Sequence, residues 1–170
     1  MIYYNYDMFC MRKFTERTMH MKISTKVEYG IIAMIDIAVH SENGEAVTVS
    51  SISGRHSISG KYLEQVLTAL RQADLIRGLK GSRGGYIISG PAEKITFKQI
   101  INALDVTVLG DVYFDSTPEN SVITDTLQSC LWNKMTSYLR SFSESVTLED
   151  IADEYRRKNE NQVEDYSYCI

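Results

Sequence analysis

The residues best suited to chemistry fall in two short stretches, Ser59-Gly-Lys-Tyr62 with Gln65, and Lys80-Gly-Ser-Arg-Gly-Gly-Tyr86. The first places a hydroxyl, a cation, a phenol and an amide where a helix would begin. The free N–H groups and dipole of a first helical turn attract phosphate, and a Lys or Gln projecting from that turn can bond phosphate oxygens or base edges. The second stretch holds three glycines around Arg83, so the backbone can turn tightly and approach a groove closely while Arg83 supplies a cation to insert. It is not a nucleotide-phosphate loop, which needs a Lys-Ser or Lys-Thr pair entering a helix; here Tyr86-Ile-Ile-Ser89 returns as a strand. The candidate nucleic-acid contacts are therefore Ser59, Gly60, Lys61, Tyr62, Gln65, Lys80, Ser82, Arg83 and Gly84. Taken singly, each stretch has a plainer alternative: an amphipathic surface helix, and a flexible hairpin with an incidental Arg.

Other chemistries find little support. Cys10, Cys130 and Cys169 are odd in number and widely spaced, with no CxxC or Cys/His ligand pair, so neither a disulfide framework nor a metal site is expected. Cys130 reads as a packed, inert helix residue. His20, His40 and His56 are scattered and read as exposed or partly packed side chains. No nucleophile and base pair up, so an enzyme is not expected. No apolar run approaches the roughly 20 residues of a membrane helix, and the first twenty residues lack the pattern of a secretory signal, which predicts a cytoplasmic protein.

The net charge of −4 argues against a nucleic-acid partner only until it is resolved along the chain. Residues 91–170 carry fourteen acidic and seven basic side chains, whereas Arg55 to Arg83 carry six basic (Arg55, Lys61, Arg71, Arg77, Lys80, Arg83) against Glu64 and Asp74. One local surface can attract phosphate although the whole molecule is acidic.

The elements that must position these residues follow from periodicity. Residues 1–20 show none, and are expected to be a disordered arm or to precede a true start of translation at Met21, the second being preferred. From Thr25, an expected N-cap with Glu28 as its partner, Val27, Ile31, Met34, Ile35 and Ala38 mark a core helix. Val47 to His56 predicts a short helix with Val49 and Ile52 inward, and Ser59 is expected to cap a third, reaching about Ala73, with Leu63, Val66, Leu67 and Leu70 buried. Two short helices and a tight turn make a helix-turn-helix, about residues 48–71. A hairpin over about 76–89 follows, then a helix from Thr96 to about Leu104 and a loop from Asp105 to Pro118 in which Val106, Val108, Leu109 and Val112 are expected to pack. A helix from about Asn120 to Ser143 carries an apolar stripe too long for one small domain to cover, with Ile123, Leu127, Leu131, Met135, Tyr138 and Leu139 as the expected dimerisation residues. The last helix starts at the capping box of Thr147 and ends in the basic Arg156-Arg-Lys158, leaving 159–170 as a flexible tail. The expected fold is mainly α, a winged helix-turn-helix domain over 21–90 followed over 91–158 by a linker helix, loop and dimerisation helices.

Met21-Lys-Ile-Ser-Thr-Lys-Val-Glu-Tyr-Gly30, Lys61-Tyr-Leu-Glu-Gln65, Leu70-Arg-Gln-Ala-Asp-Leu75 and Gly81-Ser-Arg-Gly-Gly-Tyr86 together resemble the Rrf2 family of winged-helix transcriptional repressors over about Met21 to Lys158. The resemblance implies a homodimer held by the long helix, with the Ser59 helix in the major groove and the Arg83 wing in the minor groove of a palindromic operator in double-stranded DNA. Many members bind an iron-sulfur cluster through three closely spaced cysteines, but Asp105 to Thr126 contains none, so no cofactor is expected. The acidic, aromatic tail resembles that of the cluster-free members that repress cysteine metabolism with cysteine synthase. It implies that Tyr168, Cys169 and Ile170 dock into that enzyme, an apolar end with a free carboxylate suiting an amino-acid pocket. A repressor answering another redox or small-molecule signal, and an interaction module that keeps the fold without binding DNA, are the alternatives.

Overall fold

Helix α1 (Thr25–His40) begins one residue earlier than its sequence suggests, because Ser24 rather than Thr25 takes the N-cap and accepts from the Val27 N–H. Glu28 therefore closes no capping box. Described in this computed structural model are residues 23–41, 44–81, 84–112 and 120–167, with side chains to 161. Helix α1 is central, contacting helix α3 (Gly60–Gln72), helix α4 (Phe97–Leu104), helix α7 (Leu148–Ser167) and strand β2 (Gly85–Ile88). Its Val27, Ala33, Met34 and Ile37 are fully buried, while Ile31 and Ile35 are half-buried at the edge.

Gly30 shows how closely these helices approach. A Cβ there would lie 2.3 Å from Leu104 Cδ1 and 3.0 Å from its Cγ, and Leu104 is itself in the core at 3% exposure. Alanine is the better helix former by up to about 1 kcal/mol, yet overpacking of this kind costs about 1–3 kcal/mol. Gly30→Ala is therefore expected to lower the unfolding midpoint in denaturant; a raised midpoint would show that Leu104 moves aside freely.

Helix α2 (Val49–His56) starts at Thr48, whose Oγ1 accepts from the Ser51 N–H. Val47, expected in this helix, instead joins the hairpin: its N–H donates to the Tyr86 carbonyl (2.9 Å) and its carbonyl accepts from the Tyr86 N–H (2.8 Å). Strand β1 (Ile76–Leu79) pairs antiparallel with β2, Ile76 opposite Ile88 and Leu79 opposite Gly85. Gly85 is required by that third-strand contact, since a Cβ would sit 2.6 Å from the Val47 carbonyl oxygen.

Thr96 caps α4 through a reciprocal capping box with Gln99, and Ile100, Ile101 and Leu104 enter the core. In the following loop Leu109 is buried, but Val106 and Val112 are exposed, so only part of the expected packing forms. Residues 113–119 lie outside the described residues.

The long helix is present with an interruption. Helix α5 (Ser121–Leu127) passes through one π-helical turn, Gln128–Trp132, into helix α6 (Asn133–Ser145). Residues spaced by four drift about 40° per step around a straight α-helix, and the wider i→i+5 turn takes up that drift between Leu127, Leu131 and Met135. Helix α6 lies on α4, with Thr136 and Ser143 buried.

Thr147 and Asp150 form the capping box of α7. This helix continues to Ser167 rather than ending at the basic cluster. Arg156, Arg157 and Lys158 are held mid-helix by Glu149, Asp153 and Glu154, so ion pairing within the helix replaces the expected interaction with a helix end. The expected flexible tail from residue 159 is thus helical as far as 167.

Candidate nucleic-acid interface

The two chemistry-bearing stretches meet at the first turn of α2. The start of α3 lies against it, a Cβ on Gly60 falling 3.8 Å from Val49 Cγ1, and two residues earlier Val47 is bonded to the wing. On the wing side of that turn an open cleft of about 530 Å³ is lined by Gly44, Glu45, Ala46 and Thr48 of the segment leading into α2 and by Leu79, Lys80 and Gly84 of the wing.

Helix α3 buries Leu63, Val66, Leu67 and Leu70 and so turns its other face outward. Lys61 and Gln65 are exposed on that face, with Glu64 between them. Ser59 occupies the N-cap but its side chain makes no capping hydrogen bond, which corrects the expected cap. The turn is held instead by Ser57 in the left-handed region (φ 54°) and by the Ser53 hydroxyl donating to the Ile58 carbonyl. Tyr62 is half-buried, its ring edge-on to Tyr29 of α1 at 5.6 Å. On the wing Lys80 is exposed, and the Gly84 N–H donates to the Gly81 carbonyl. Ser82, Arg83 and the tail residues Tyr168, Cys169 and Ile170 lie outside the described residues.

A cluster that sequence spacing did not reveal lies behind this face. Asp36, on the inward side of α1, is 2% exposed. Arg55 of α2 grips its carboxylate with two bonds, Nε to Oδ1 at 2.8 Å and Nη2 to Oδ2 at 2.5 Å. His56 Nε2 lies 2.9 Å from Oδ1, and His40 Nδ1 lies 2.8 Å from the Asp36 carbonyl oxygen. Burial alone would raise the Asp36 pKa, but the bonds from Arg55 and His56 and the charges of Arg55 and His40 outweigh it, holding the carboxyl below its ordinary range. Arg55 is thus paired with a buried carboxylate although its side chain stays partly exposed, and the local basic excess read along the chain is neutralised by one charge. An invariant period could not have shown this, because α1 and α2 supply its members from positions 36, 40, 55 and 56.

A family model described as an iron-dependent transcriptional regulator, Rrf2, matches residues 23–154. The chain belongs to the Rrf2 family. It is 33% identical over 135 residues to the HTH-type transcriptional regulator IscR of Cereibacter sphaeroides, covering 77% of this chain and 86% of that protein. Among solved structures it is similar to CymR, the global cysteine regulator of B. subtilis, with a TM-score of 0.64 and 29% identity over 79% of this chain and 98% of that one. CymR of Staphylococcus aureus is similar too, with a TM-score of 0.61 and 34% identity over 76% of this chain and 96% of that one. The fold is accordingly a winged helix-turn-helix, and this Rrf2 protein is a transcriptional regulator rather than an enzyme.

The family description raises iron, and the described residues do not fit a cluster. Among them no group of three or more His, Cys, Asp or Glu is placed to hold a metal ion. Asp36, His40 and His56 converge, but the Arg55 guanidinium already occupies the carboxylate and would oppose a second cation. Cys130, expected to be packed, is exposed in the π-helical turn, and Cys10 and Cys169 lie outside the described residues. No described helix is long and apolar enough to cross a membrane.

Proposed function

We propose that this Rrf2 regulator is a cytoplasmic homodimeric repressor that reads a palindromic DNA operator. The observation that carries the reading is the shared wall at Val47–Val49: Val49 meets the start of α3, which carries the exposed Lys61 and Gln65, and Val47 is bonded to the wing, whose Lys80 lines the adjoining cleft. A helix entering the major groove beside a wing that reaches the minor groove needs this adjacency. Ser59, Gly60, Lys61, Tyr62 and Gln65 then act from α3, and Lys80, Ser82, Arg83 and Gly84 from the wing. The exposed stripe Ile123, Leu127, Leu131, Met135, Tyr138 and Leu139 pairs two copies, so two half-sites are read at once. Selecting duplexes from a randomised library with the full chain is expected to recover a two-fold symmetric sequence; recovery of no sequence preference would leave an interaction module instead.

The regulator works without a protein-bound cluster, and cysteine metabolism is the process it serves. Likeness to two CymR structures and the sequence Glu164-Asp-Tyr-Ser-Tyr-Cys-Ile170 favour a partnership with cysteine synthase, whose amino-acid pocket the Ile170 end would enter. Deleting residues 165–170 is expected to weaken binding of purified cysteine synthase at least about tenfold in calorimetry while DNA binding by the regulator alone persists. Equal binding by the shortened chain would refute the docking.

A further inference from the structure

Helix α2 packs on α3, and on α1 its polar groups reach Asp36. The carboxylate has both oxygens engaged by groups from α2, and its own α1 contributes His40. Tyr155 of α7 lies close enough to act electrostatically on the Arg55 guanidinium. A bidentate ion pair on a buried carboxylate constrains angle as well as distance, because the planar fork must meet the carboxylate edge-on. The same α2 carries, at its other end, the Val49 contact to α3 and the Thr48 edge of the cleft. A rotation of α2 about α3 would therefore change the spacing between the reading helix and the wing without unfolding either.

We infer that Asp36, through its grip on Arg55 and His56, is a positioning residue for DNA reading, fixing α2 so that α3 and the wing meet one duplex together. The inference rests on the proposed DNA-binding function and names the part of the core that sets its geometry. Charge alone makes the opposite prediction for one of the two partners. Asp36→Asn removes a negative charge and releases a guanidinium, which by electrostatics strengthens binding to DNA, whereas Arg55→Gln weakens it. Loss of positioning weakens specific binding in both.

The test uses the full chain and the duplex it recovers from a randomised library, with a scrambled duplex of the same length as control. Both variants are measured well below their unfolding temperatures, with circular dichroism to confirm the fold. The expected result is a loss of about tenfold or more for the recovered duplex in each variant, unchanged affinity for the scrambled duplex, and an unchanged dependence on salt. Asp36→Asn binding as tightly as the parent or more tightly overturns the inference. If Asp36→Asn does not fold, Arg55→Gln decides, since its guanidinium is 36% exposed and its loss leaves a carboxylate with His56 still in place. Equal losses on both duplexes with a salt slope shallower by about one for each subunit would make Arg55 a phosphate contact and overturn the inference. Failure of the parent chain to recover any duplex removes the DNA-binding reading and this inference with it, whereas recovery followed by parent-like binding of both variants removes the inference alone.

Discussion

Replacing Lys61 and Arg83 together by alanine is expected to weaken operator binding by roughly a hundredfold or more at moderate salt, with little change in thermal stability. Lys61 is exposed at the start of α3 and takes no part in the core, so its removal leaves packing intact. In sequence Arg83 falls between two strands whose pairing is made by backbone bonds. A base contact contributes about 1–3 kcal/mol, and each lost phosphate contact lowers the salt slope by about one. The proposed dimer would carry two copies of both residues, so the loss is counted twice. The single variants separate the roles: a contact to phosphate weakens all duplexes alike, whereas one to a base relaxes the sequence preference at one position. Anisotropy titrations of the recovered and scrambled duplexes across a salt series read both. Unchanged, salt-sensitive binding by the double variant would remove α3 and the wing as the reading elements and favour the interaction-module alternative.

How far the molecule is legible in its sequence depends on whether a feature is local. The buried face of α3 is four residues at helical spacing, and all four are fully buried. The cap at Thr96 and the capping box at Thr147 involve side chains three residues apart and are legible locally, although the reciprocal partner Gln99 at the first is seen only in the structure. The place of Val47 is not legible locally because its role depends on Tyr86, thirty-nine positions away, and no local preference distinguishes a helix start from a bridge to that residue. The π-helical turn leaves no mark on composition; it changes the phase of a stripe whose members remain the same. The end of α7 differs from the sequence expectation because a basic cluster suits a helix terminus but suits equally a helix interior with Glu149, Asp153 and Glu154 within reach. The Asp36 cluster was hidden most completely. An Asp in an otherwise apolar helix and an Arg in a basic stretch each have ordinary explanations, and only their meeting makes either unusual.

Converting Leu131 to Glu is expected to turn the proposed dimer into monomers and, in consequence, to lose most of the operator affinity. Leu131 is 49% exposed in the single chain; its neighbours along the stripe, Leu127 and Met135, are each 40% exposed, and Ile123 and Tyr138 further along are at 62% and 76%. An isolated soluble chain rarely leaves so continuous an apolar strip in water. Because Leu131 is open to solvent, a Glu there costs the folded monomer little. In a symmetric interface the same change occurs on both sides, which removes two buried leucines and sets two carboxylates in an apolar contact; unpaired charges so placed cost several kcal/mol. The dimer dissociation constant should rise at least about a hundredfold. Two half-sites bound by separate chains lose the effective concentration that the dimer supplies, so operator affinity falls by a further large factor although Lys61 and Arg83 are untouched. Sedimentation velocity of the variant gives the mass, and its melting curve shows whether the monomer remains folded. A variant that keeps the dimer mass and full operator affinity would place the subunit interface elsewhere and leave the exposed stripe without a role.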